Sequence, residues 1–138
     1  MGYELREHTA DVAIEATAET LGAVFGAVAN GLAAAMCDEI PEGEHERFDL
    51  SVRAENREAV LFDYLDELIY ERDVRGVLPV DNEASVTEQD TTEWSCGASA
   101  RGVPLSAVDA REVKAVTYSE MALESTDGGW RAYVVFDV

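Results

Sequence analysis

The chain has 138 residues, enough to bury one sizeable core and too few for two ordinary domains. At 47% hydrophobic with ten Gly and three Pro, it excludes both a disordered chain and a fibrous repeat. Twenty-nine acidic residues against ten basic ones leave a formal net charge of −19, which disfavours direct binding of nucleic acid, because phosphate affinity comes largely from Lys and Arg releasing counterions.

In chain order, residues 3–8 and 11–18 read as extended. Val12, Ile14, Ala16 and Ala18 alternate with Asp11, Glu15 and Thr17, which places Asp11 on the polar face. Leu21, Val24, Phe25, Val28, Leu32 and Met36 then recur at three and four, the stripe of a helix that Thr20 can cap. Gly22, Gly26 and Gly31 weaken that helix, so it is expected only docked, with a neighbour pressed close. Residues 38–46 hold Pro, Gly and several acids and read as a solvated loop, followed by a strand at Phe48, Leu50 and Val52. Asn56 can cap a second helix, with Leu61, Leu65, Leu68 and Arg72 on one face beside Phe62 and Ile69, and Gly76 closing its end.

Four period-two segments follow, at about 77–88, 91–101, 113–125 and 130–138, the last two joined by the turn Asp127-Gly128-Gly129. The pattern predicts an α+β fold in one domain, residues 1–138: an antiparallel-rich sheet covered by two amphipathic helices. Cys37 and Cys96 have neither zinc nor redox spacing and read as buried free thiols. A charged N-terminal stretch and the lack of a long apolar run predict a soluble, cytoplasmic protein. The charge balance fits a halophilic cytoplasm, since in molar salt the Debye length falls to about 3 Å and an acidic surface no longer repels itself.

The final strand ends with Asp137 and Val138, so the Asp137 side chain and the main-chain carboxylate of Val138 share its tip. Hard cations such as Ca²⁺ and Mg²⁺ prefer such oxygens, and Asp11, at the polar start of another strand, is the best-placed third acid. Chance placement of two Asp in so acidic a chain is the plain alternative. Lys114 stands out as the one lysine beside nine arginines: either a compact ammonium presented to a phosphate or carboxylate, or one half of a cross-strand ion pair. His8 reads as a hydrogen-bonding partner and His45 as solvated. No common enzyme signature occurs.

The stretches YELREHTADVAIEA, LFDYLDELIYERDVRG, VKAVTY and GGWRAYVVFDV together, in this order, resemble the archease family. That resemblance implies a non-enzymatic activator of the RtcB-type tRNA-splicing ligase, promoting guanylylation and multiple turnover of the ligase and broader nucleotide use by it. It also implies a bound divalent ion, usually Ca²⁺, held by Asp11, Asp137 and the main chain of Val138, and an activating role for Lys114. Residues 78–110 match only loosely and carry no inherited role. Two other readings remain, a general chaperone or modulator of RNA-modifying enzymes and a metal-dependent hydrolase using the same acids.

Overall fold

The structure, a computed structural model, describes residues 2–8, 11–42, 46–90 and 93–138, and the side chains of 4–8 and 90 are outside that description. The side chain of His8 and the whole of His45 therefore lie outside the described residues. The elements run β1 (Gly2–His8), β2 (Asp11–Ala18), α1 (Leu21–Met36), β3 (Arg47–Ala54), α2 (Arg57–Arg75), β4 (Val77–Asp90), β5 (Glu93–Pro104), a 3-10 turn (Leu105–Ala107), β6 (Ala115–Thr126) and β7 (Gly129–Asp137).

The fold is α+β with antiparallel strands, as the periodicity predicts. The strands form two sheets, however, β1-β2-β7-β6 and β3-β5-β4, where the sequence pattern predicts a single one. The helices lie between them, α1 against β4 on one side and β2, β1 and β7 on the other, and α2 against β3, β4 and β5 and against β6.

Leu21–Met36 contains no charged residue, so α1 can be enclosed on both sides, and most of it is buried. The expected cap holds: the Thr20 hydroxyl accepts from the Ala23 N–H at 3.1 Å. Its glycines mark the expected close approaches. A Cβ at Gly22 would stand 2.6 Å from the Ala84 carbonyl oxygen, and one at Gly31 would stand 2.8 Å from Cγ2 of Ile14.

At the start of α2 the Asn56 side chain accepts from the Ala59 N–H at 2.8 Å, and at its end Gly76 is left-handed with φ 66°, donating to the Arg72 carbonyl. The Arg57 guanidinium lies 5.8 Å from the Trp94 ring on β5 and 5.0 Å from the Trp130 ring on β7, so the first turn of α2 fastens both sheets. Both cysteines are free and buried. Burial pushes the Cys96 thiol up to about 12, so it stays protonated and unreactive at neutral pH.

Candidate functional site

Three strands meet at one end of the four-stranded sheet. Asp11, the first residue of β2, pairs directly with Asp137, the last residue of β7, and Asp137 pairs on its other side with Ala115, the first residue of β6. Directly opposed residues share a face with Cβ atoms about 5 Å apart, so the two carboxylates stand side by side. Beneath them the neighbouring row, Val12–Phe136–Val116, points the other way into the core and fixes the register, because a slip of one residue would turn Phe136 out of its buried site.

Asp11 is half-buried, while Asp137, Val138 and Lys114 are exposed. The Lys114 N–H donates to the Asp137 carbonyl at 2.9 Å, so the lysine is tied by its backbone to the residue that carries one carboxylate. The structure thus brings Asp11, Asp137, Val138 and Lys114 to one edge. Lys114 itself sits just before β6 instead of inside a strand from 113. The reason is local: the carbonyl of buried Val113 is taken by the Arg72 guanidinium at 2.8 Å and not by a strand neighbour.

The cation contrast is sharper than composition alone suggests. Arg47, Arg53, Arg72, Arg75, Arg101, Arg111 and Arg131 all hold carboxylates, and Arg57 stacks on two indoles. The Lys114 ammonium has no ion-pair or hydrogen-bond partner among the described residues, which removes the cross-strand ion pair as its explanation there.

Two facing carboxylates supply the hard oxygen donors that suit Ca²⁺ or Mg²⁺. Among the described residues no group of three or more His, Cys, Asp or Glu side chains is clustered for a metal, so a cation held here would draw its further ligands from main-chain oxygen and water. A cleft of about 520 Å³ between Cys37–Pro41 and Ala107–Asp109 contains none of these residues.

Sequence spacing alone does not mark Arg72 and Arg111 as site residues. Arg111 donates to the Ala35 and Met36 carbonyls at the end of α1, through its Nε and its backbone N–H, and its fork holds Asp38. That guanidinium keeps the Asp38 carboxyl below its usual range. Together the two arginines fasten the strap 108–114 that delivers Lys114. A charged residue in the apolar row after Leu68 was the legible sign of Arg72.

The fold has close counterparts. A solution structure of a Methanobacterium thermoautotrophicum protein matches with TM-score 0.82 and 26% identity over 99% of both chains. A crystal structure of a Thermotoga maritima archease, described as a possible chaperone, matches with TM-score 0.63 and 21% identity over 96% of this chain and 94% of that one, which speaks to fold alone. The protein archease of Methanosarcina mazei is 36% identical over 99% of this chain and 95% of its own, and that of Pyrococcus furiosus 31% identical over 99% and 98%. The model of the Archease protein family matches residues 3–138, a span that takes in both strand ends of the site and the strap between them, and the chain belongs to that family.

Proposed function

We propose that this chain is an accessory activator of an RtcB-type tRNA-splicing ligase in the cytoplasm, not itself an enzyme, and that the edge formed by Asp11, Asp137, Val138 and Lys114 is its working surface. The observation that carries the reading is the ammonium of Lys114, which has no partner among the described residues and is fixed through its backbone to Asp137 beside a facing carboxylate pair. In an acidic chain whose other described cations are engaged, a free ammonium is suited to meet an anionic group of a partner. The guanylyl phosphate transferred by the ligase is such a group, since phosphoryl transfer depends on offsetting charge on the phosphate oxygens.

Asp11 and Asp137 are proposed to hold a divalent ion, Ca²⁺ by family resemblance, with the main chain of Val138; when bound it would supply positive charge beside Lys114. The protein's own residues do the rest: the β2–β7 register brings the carboxylates together, and the strap holds Lys114 beside them. RNA is contacted by the ligase, not by this acidic surface.

The test is a ligase turnover assay at high salt, with divalent ions depleted and then restored. Wild-type protein should convert single turnover into multiple turnover. Asp137→Ala, at an exposed position, should fold normally and lose the cation-dependent part of that effect. Full turnover with Asp137→Ala would end this reading. Binding to several RNA-modifying enzymes, with no effect on the ligase, would replace it with the chaperone reading.

A further inference from the structure

We infer that Arg72, at the far end of α2, is the positioning residue for Lys114. The purpose given to that positioning rests on the activator reading above; the positioning itself does not.

Arg72 occupies a place where a leucine would suffice for packing. It lies in the last turn of α2, one turn beyond Leu68, and is only 7% exposed. A buried guanidinium is costly unless its donors are satisfied, so its retention calls for a role that apolar packing does not fill. Here the donors diverge. Nε and Nη2 hold the carboxylate of Asp73 at 2.9 Å, while Nη1 reaches inward to the Val113 carbonyl at 2.8 Å and the Met36 sulfur at 3.3 Å. Only a planar fork can point donors at a surface acid and a buried carbonyl together.

The consequence falls on a single peptide unit. Its carbonyl, on Val113, accepts from Arg72, and its N–H, on Lys114, donates to Asp137. Both polar ends are held from opposite directions, one by α2 and the other by β7, so the plane cannot rotate without breaking a buried hydrogen bond. The Cα of Lys114 is therefore fixed relative to Asp137, while its ammonium has no partner among the described residues. A rigid base with a free tip is what presentation to a partner requires. Arg111 supplies the contrast: it ties the same strap to the end of α1 and the residues just after it, through Ala35, Met36 and Asp38, and its hydrogen bonds do not include the 113–114 peptide.

Lys114 is the sole lysine, so ¹⁵N-lysine labelling yields one backbone lysine amide signal. Its hydrogen exchange should speed up about tenfold in Arg72→Met, the scale of one intramolecular hydrogen bond. Arg111→Ala should leave that rate close to wild type. Where the wild-type protein activates the ligase, Arg72→Met should lower the turnover it supports while leaving unchanged the protein concentration that gives half-maximal effect. Unchanged exchange in folded Arg72→Met, or equal acceleration by Arg111→Ala, would overturn the inference. Should Arg72→Met not fold, Asp73→Ala takes its place. It removes only the exposed carboxylate that steadies the guanidinium, and it should give a smaller acceleration in the same direction; none would overturn the inference. A wild-type protein without effect on the ligase would end the activator reading and leave the exchange result standing.

Discussion

Individual side chains here divide by whether their polar atoms are satisfied. Tyr64 on α2 is fully buried, its ring stacked 6.0 Å from that of Phe25, and its hydroxyl has no hydrogen-bond partner among the described residues. Burial pushes that hydroxyl far above its ordinary range, with the neighbouring Cys96 adding to the effect, so it remains a neutral phenol. An orphaned buried hydroxyl carries a desolvation penalty without return. Tyr64→Phe should therefore leave stability unchanged or raise it by about 1 kcal/mol, read from denaturant midpoints at constant m-value. A loss of more than that would mean the hydroxyl is bonded. Lys114 is the opposite case, exposed and without a partner among the described residues, where freedom costs nothing and leaves the group available.

Among the elements, α1 makes the clearest prediction. In a free helix Gly22→Ala would gain up to about 1 kcal/mol of propensity. In this fold the new Cβ would meet the Ala84 carbonyl of β4 at 2.6 Å, and a backbone oxygen in a sheet cannot step aside, so a net loss of about 1–3 kcal/mol is expected. Gly97→Ala, where a Cβ meets nothing within 4 Å, serves as the control and should be close to neutral. Calorimetric midpoints of the two variants decide the matter. These close approaches were legible as three glycines in an apolar stripe, and the caps Thr20, Asn56 and Gly76 were legible because capping is local chemistry. The division into two sheets was not. Period-two alternation says which face of a strand is buried and is silent on which strand lies beside it, so β5 between β3 and β4, and β7 between β2 and β6, emerge only from the fold. The carboxylate pair was half legible: the strand ends placed Asp11 and Asp137 on polar tips, and the pairing of β2 with β7 brought them together. Arg72 was legible as a member of a helix face but not as a donor to Val113, because spacing along one element does not reveal its partner on another.

For the molecule as a whole, the net charge of −19 sets the dependence on solution conditions. On α2 the Asp63 carboxyl is raised above its usual range by partial burial and then by Asp66, and that of Glu67 by partial burial and then by Glu71 and Asp66. Raised carboxyls penalise the folded state above their folded pKa, and the penalty is relieved as pH falls through that value toward the ordinary one. At low salt, stability should therefore rise on acidification from neutral pH, until the carboxylates held below their usual range, such as Asp38, begin to protonate. Raising KCl from about 0.01 M to 1 M shortens the Debye length from about 30 Å to 3 Å, so the melting temperature at pH 7 should climb and the pH effect shrink. A melting temperature independent of salt would show that self-repulsion is not a significant term. The interior place of β7 carries a kinetic corollary. Its register with β2 pairs Asp11 with Asp137, and across the same two strands the Arg131 side chain donates to Glu15, 116 positions away, so that ladder closes only after a long loop has been ordered. The acid pair is then assembled late on the folding route, and a half-folded chain would present neither the opposed carboxylates nor an anchored amine.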